Sequence, residues 1–185
     1  MSLFLAHILP RGIVPMFSIC PERPCDSPAI EALLDEVFGP GRFARTAYHL
    51  REGVEPISGL AFVAFEEGQM RGSIRFSPVN VGGHKALFLG PLVVKAEDRG
   101  KGIGLALMKR GLKAAKATGA PSVLLVGDAP YYERVGFKPL GRGRVIPSGP
   151  IDPDRLLALE FTSGGLNALG GPLTSLHAAM PVSAA

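Results

Sequence analysis

Residues 92–104 read LVVKAEDRGKGIG, and residues 105–118 continue as LALMKRGLKAAKAT. The first half is an apolar strand that runs into Arg99 and three glycines at alternating positions, Gly100, Gly102 and Gly104. The second half is an amphipathic helix: Ile103, Leu107 and Gly111 line one face at i, i+4, i+8, while Lys109, Lys113 and Lys116 line the other. Glycine has no Cβ, so its backbone N–H can approach an anion closely. A helix that starts at the last glycine aims unpaired N–H groups and its positive end at the same point. Arg99 and Lys101 add full charges beside those partial ones. The segment predicts a diphosphate site built from Arg99, Gly100, Lys101, Gly102, Ile103 and Gly104.

Upstream of this segment, FSIC (17–20) predicts a short strand, and Ser27-Pro28 opens a helix whose Ile30, Leu33, Leu34, Val37 and Phe38 share a face. Gly39-Pro40-Gly41 stops it, and a second short helix is expected over Arg42–Arg51, ending at Gly53. Leu60–Phe65, Met70–Val79 and Ala86–Lys95 follow as strands, separated by turn signals at Glu67-Gly68 and Gly82-Gly83, which is the pattern of an antiparallel meander. Downstream, Gly119 and Pro121 end the long helix and SVLLVGD (122–128) reads as a buried strand. PYYERVGF makes a short helix and turn, and LLALEF (156–161) is a last strand.

At 185 residues and 46% hydrophobic, the chain can bury one sizeable core. The expected organisation is an accessory extension over 1–15, a single domain over 16–162, and a Gly/Ala-rich tail over 163–185 that the sequence commits to no element. The net charge of +4 lacks the Lys/Arg runs with interleaved aromatics that nucleic-acid binding needs, so no nucleic-acid partner is expected. No apolar run is long enough to span a membrane, and the first fifteen residues lack a basic segment and a cleavage site, so the expectation is a cytoplasmic protein with no membrane partner. Cys20 and Cys25 are too few for a disulfide framework, and His7, His49, His84 and His177 show no ligand spacing; no metal site is expected.

Two other phosphate motifs compare poorly. No GxxxxGK[ST] occurs, which excludes a P-loop. A dinucleotide fold places its glycines at the tip of the strand, whereas here polar residues and Arg99 intervene and Leu105 stands where a further glycine is needed.

LVVKAEDRGKGIGLALM resembles the central motif of the GCN5-related N-acetyltransferase (GNAT) superfamily, Arg/Gln-x-x-Gly-x-Gly/Ala, with Arg99, Gly102 and Gly104 in the three positions. A second motif of that superfamily, Tyr-x-x-x-Gly-Phe, is matched by Tyr132, Gly136 and Phe137, about thirty residues on. The likeness covers roughly residues 17–162, and GPGRFARTAYHLREG resembles the corresponding region of the bacterial YhbS-like subgroup. One departure stands out: many members carry an asparagine seven residues before the tyrosine, whereas Asp128 lies four residues before Tyr132.

The resemblance implies an α+β GNAT fold, with a mixed, mostly antiparallel central sheet, helices on both faces, and the fourth and fifth strands splayed. It implies acetyl-CoA as co-substrate, its pantetheine arm pairing with backbone groups of Leu92, Val93 and Val94 and its pyrophosphate held by Arg99–Gly104. It further implies direct attack by a primary amine, from a small molecule or a protein, and Tyr132 as the proton donor to the departing thiolate. Exposed strand edges in the fold make a homodimer a possible assembly. The alternative is a non-catalytic acyl-CoA-binding or regulatory domain. Arg42, Arg45 and Tyr48, three apart, are expected to share one helical face toward the acceptor. Glu66, His84 and Glu36 are open choices for the base, with a water chain equally open.

Overall fold

The computed structural model describes residues 17–176. The expected extension over 1–15 and the last nine residues of the tail lie outside the described residues.

A helix face and a sheet face meet because their periodicities agree on which side is apolar. Strands β2 (Phe62–Glu66), β3 (Gln69–Val81) and β4 (His84–Val94) form the antiparallel meander, closed by Glu67-Gly68 and Gly82-Gly83, all four with left-handed φ. Successive side chains alternate across it. Phe62 and Ala64 of β2 face helix α3 (Ile103–Ala117), joining Ile103, Leu107, Met108 and Ala115 in the main core. Val63, between them, faces helix α1 (Ser27–Phe38) and packs with Ile30, Leu33 and Leu34. Helices therefore cover both faces. Gly111 lets α3 lie close: a Cβ there would sit 2.6 Å from the Phe76 ring.

The remaining strands are β1 (Ser18–Pro21), β5 (Ser122–Val126), β6 (Lys138–Pro139), β7 (Val145–Pro147), β8 (Leu156–Glu160) and β9 (Gly171–Ser175). The order along the sheet is β1-β2-β3-β4-β5-β8-β6, with β9 pairing both β3 and β7. β4–β5 and β7–β9 are parallel and the other pairs antiparallel.

Two findings differ from the sequence reading. The helix expected over Arg42–Arg51 is broken: a 3₁₀ turn covers Pro40–Ala44, Arg45 is extended (φ −84, ψ 135), and helix α2 spans only Thr46–His49. The segment after Phe161, which the sequence left uncommitted, enters the sheet. Ser175, Thr174 and Leu173 of β9 pair with Val79, Asn80 and Val81, and the Leu173 side chain is fully buried.

Candidate functional site

β4 carries one residue more than its partner. Phe76 of β3 lies opposite Leu89 and Ile74 opposite Leu92, so two steps along β3 match three along β4. The extra residue is a bulge at Gly90-Pro91, and bulges bend a strand. β4 and β5 pair only at Leu87↔Val123 and Phe88↔Leu124, after which the strands part. The gap opens into a cavity of about 720 Å³. The expected splaying is therefore present, and its source is a Gly-Pro pair inside a strand, a signal of the kind that marks bulges.

Main-chain groups alternate direction along an antiparallel ladder. Lys95 N–H donates to Arg71 O at 2.9 Å, which turns the backbone of Val93, two residues earlier, toward β3 as well. Leu92 and Val94 thus direct their N–H and C=O groups toward the gap. The Val93 side chain is buried against α1, while Leu92 and Val94 pack on the α3 side.

At the far end of the gap lies the glycine loop. Gly100 and Gly102 have φ of 84 and 85, and a Cβ on either would meet nothing within 4 Å; the space beside them is open. Ala106 N–H, bonded to Gly102 O at 3.0 Å, is the first donor of α3 to bond back, which leaves Ile103, Gly104 and Leu105 N–H as the helix's unpaired donors. Arg99, Gly100, Gly102 and Gly104 line the cavity. The Ile103 side chain goes into the core. Lys101 turns back: its Nζ donates to Asp98 Oδ1 at 2.7 Å, a bond that raises its pKa. Asp98 is fully buried, and its other oxygen lies 3.6 Å from Arg71 Nη1. Lys101 thereby braces the loop.

Both tyrosines of helix α4 (Ala129–Tyr132) line the cavity. The Tyr131 hydroxyl lies where a Cβ on Gly104 would be, at the start of α3. Tyr132 lies across Gly127, just after β5, with Tyr131 and Phe137 edge-on at 5.2 and 5.9 Å. Burial pushes the Tyr132 hydroxyl up to about 12 and raises Tyr131 too. Asp128 occupies the N-cap position of α4, where its carbonyl accepts from Tyr131 N–H at 3.0 Å, but its carboxylate bonds Arg155 at 3.1 Å instead of capping.

Arg42, Arg45 and Tyr48 line the opposite end of the cavity without forming one helical face. Arg42 is buried and bonds Glu31 at 2.9 Å and Asp35 at 3.0 Å, so it ties the 3₁₀ turn to α1. Arg45 is exposed, its guanidinium 5.6 Å from the Phe38 ring. Tyr48 packs edge-on against Phe43 at 4.9 Å. Glu66, His84 and Glu36, the open choices for a base, do not line the cavity. The sequence reading missed Gly90-Pro91, Gly127 and Arg51 as parts of the wall. Arg51 gave no signal, because it reads like any polar residue at the end of a short helix. Among the described residues there is no cluster of three or more His, Cys, Asp and Glu that could hold a metal, and no helix long and apolar enough to cross a membrane.

Known proteins share this architecture. Residues 28–137 match the Acetyltransferase (GNAT) family. Over 119 residues, 36% are identical to the uncharacterized N-acetyltransferase YhbS of Escherichia coli K12, covering 63% of this chain and 71% of that one. The structure of Escherichia coli YhbS, a GNAT family N-acetyltransferase in complex with CoA, aligns with a TM-score of 0.73 and 29% identity over 86% of this chain and 89% of that one. A GNAT family acetyltransferase from Brucella melitensis in complex with acetyl-CoA aligns at 0.57 and 31% identity, over 78% and 96% of the two chains. With a family match across more than half its length and the splayed, glycine-looped sheet to accompany it, this chain belongs to the GNAT family of acetyltransferases.

Proposed function

We propose that the protein transfers an acetyl group from acetyl-CoA to a primary amine, by direct attack with both substrates bound. The observation that carries this reading is the gap between β4 and β5, which runs from a proton-bearing tyrosine to an anion-binding helix start. The residues present fit the co-substrate. Leu92 and Val94 offer main-chain groups to a linear amide-bearing arm, and the open space at Gly100 and Gly102 admits a diphosphate to the free N–H groups of α3, beside Arg99. When bound, acetyl-CoA supplies the thioester whose carbonyl carbon the amine attacks.

The protein's own groups then have distinct tasks. A gap-facing N–H of Leu92 or Val94 is placed to donate to an acyl oxygen as negative charge develops there. Tyr132 manages a proton near the sulfur. A hydroxyl held at about 12 is a weak acid toward a thiolate whose thiol titrates near ~8.5, and that transfer alone is uphill by about 5 kcal/mol. Tyr132 is therefore suited to a relay, giving its proton to sulfur while it accepts one from the amine nitrogen. Burial of the ring keeps the hydroxyl neutral, and so able to donate, throughout the physiological range.

Two measurements test the reading. Acetyl-CoA should raise the unfolding temperature, by about 2–3 kcal/mol of mass-action stabilisation at a hundredfold excess over Kd, and NAD(H) should not. Free thiol should then appear when a panel of primary amines is added. Binding without thiol release across the panel would favour an acyl-CoA-binding domain without turnover; no shift with acetyl-CoA would remove the reading altogether.

A further inference from the structure

The cavity wall carries seven arginines against four carboxylates. All four carboxylates are engaged: Glu31 with Arg42 and Arg75, Glu52 with His49, Asp98 with Lys101, and Asp128 with Arg155. Two cavity arginines that are largely buried have carboxylates of their own. Arg42 has Glu31 and Asp35, and Arg75 has Glu22 at 2.7 Å. Arg51 does not. Its one side-chain hydrogen bond among the described residues runs from Nε to Ala47 O, at 2.7 Å, and no carboxylate among them lies within ion-pair distance.

That bond fixes the plane of the guanidinium and leaves Nη1 and Nη2 for something else. Desolvation, with Arg75 adding repulsion, pushes Arg51 down to about 10, still charged at neutral pH. A charge in a desolvated place without a counter-ion is costly, and a bidentate carboxylate is its natural partner. The phosphates of the co-substrate do not supply it. Arg51 Nη1 lies 3.7 Å from where a Cβ on Gly90 would be, at the bulge. Val94, which packs by the start of α3, is four residues further along β4, or about 10 Å at strand rise once the bulged residue is discounted. Arg51 therefore sits at the acceptor end of the gap, close enough to Tyr132 for each charge to move the other's pKa.

We propose that Arg51 binds a carboxylate carried by the amine acceptor, so that the acceptor is a free amino acid or a related amino-carboxylate rather than an amine without an anionic group. This rests on the acetyltransfer reading above and narrows its substrate. Electrostatically, the wall is unsuited to a simple amine, which arrives as a cation and meets seven arginines against four carboxylates.

The test is thiol release from acetyl-CoA with matched acceptor pairs, each amino-carboxylate against its own carboxamide, covering α-amino acids and ω-amino acids of increasing chain length. Wild type should favour the acid over the amide in at least one pair by roughly 10- to 100-fold in kcat/KM, the usual worth of a charge-assisted bond. Arg51→Ala should bring that ratio to about 1. Arg51→Lys, which keeps charge but loses the fork, should restore part of it. The acetyl-CoA thermal shift, measured on each variant, reports that the fold and co-substrate site survive. Acid-to-amide ratios near 1 in wild type, a ratio unchanged in Arg51→Ala, or turnover confined to amines without a carboxylate would each overturn the proposal while leaving acetyl transfer standing. Failure of acetyl-CoA to bind wild type would remove acetyl transfer itself, and this proposal with it.

Discussion

Gly127 lies directly beneath the Tyr132 ring, and replacing it with alanine tests whether that ring's position matters. A Cβ there would stand 2.2 Å from Cε2, 2.8 Å from Cδ2 and 3.1 Å from Cζ of Tyr132. Carbon atoms in contact settle near ~3.5–4.0 Å, so the ring must move by more than about 1 Å. The backbone of Gly127 is not left-handed, so alanine suits it and the effect is steric alone. Tyr131 and Phe137 hold the ring edge-on, which blocks an easy escape. Overpacking of this kind costs about 1–3 kcal/mol, or roughly 3–10 °C in Tm for a domain of this size. Misplacing a reacting group by about 1 Å costs about 10²-fold in rate. The expected result in a thiol-release assay is a kcat lowered by about 10²-fold, with the acetyl-CoA thermal shift retained because the Arg99 loop is untouched. Combining Gly127→Ala with Tyr132→Phe sharpens the test. If alanine acts by displacing the hydroxyl, the double variant should be no worse than either single one. A multiplicative loss of about 10⁴-fold, or an unchanged kcat in Gly127→Ala, would refute the reasoning.

Tyr132→Phe, which keeps the ring and removes the proton, should lower kcat by roughly 10²-fold with acetyl-CoA binding intact, while Tyr131→Phe should matter much less; a loss at Tyr131 alone would move the proton-handling role by one residue. Gly102→Val places a branched side chain on a left-handed residue that faces open space, and it should remove most of the acetyl-CoA thermal shift; an unchanged shift would place the co-substrate elsewhere. Arg45→Ala should raise KM for the amine with little change in Tm, because Arg45 is exposed, whereas Arg42→Ala should lower Tm by several degrees because it unties the 3₁₀ turn from α1; the reverse pattern would contradict the positions of the two side chains.

Where the sequence was legible, two periodicities coincided with one chemistry. The 92–118 stretch announces a strand, an anion loop and a helix in succession, because each needs residue types that the others exclude. The meander was equally plain, since Glu67-Gly68 and Gly82-Gly83 can do little except turn. The break at Arg45 was not legible: apolar and polar residues recur at helical spacing on either side of it, and the contacts that hold the two sides, Arg42 to α1 and Thr46 Oγ1 to Pro150 O, are distant in sequence. Lys101 and Arg99 look alike in sequence, yet only the buried Asp98 separates a brace from a cavity residue. Arg51 was equally hidden, as no more than the end of an expected short helix. Its distinction lies in what is missing around it, and an absent partner leaves no mark in a one-dimensional pattern.

The placement of β9 has a consequence for how the chain reaches its final form. Asn80 and Thr174 are 94 residues apart, so if the chain between them were still unfolded their pairing would cost on the order of 4 kcal/mol in chain entropy; once β8 is in place only the short connection from Glu160 to Gly171 remains to be closed. The cheaper order is the second, with three backbone pairs and the burial of Leu173 gained last, so this pairing comes late. On the ribosome, β3 emerges long before its last neighbour, and residues 79–81, with Val79 and Val81, wait as an open edge until residue 175 is free. The meander is therefore most open to pairing with another chain in the interval after residues 79–81 have folded and before 171–175 dock beside them.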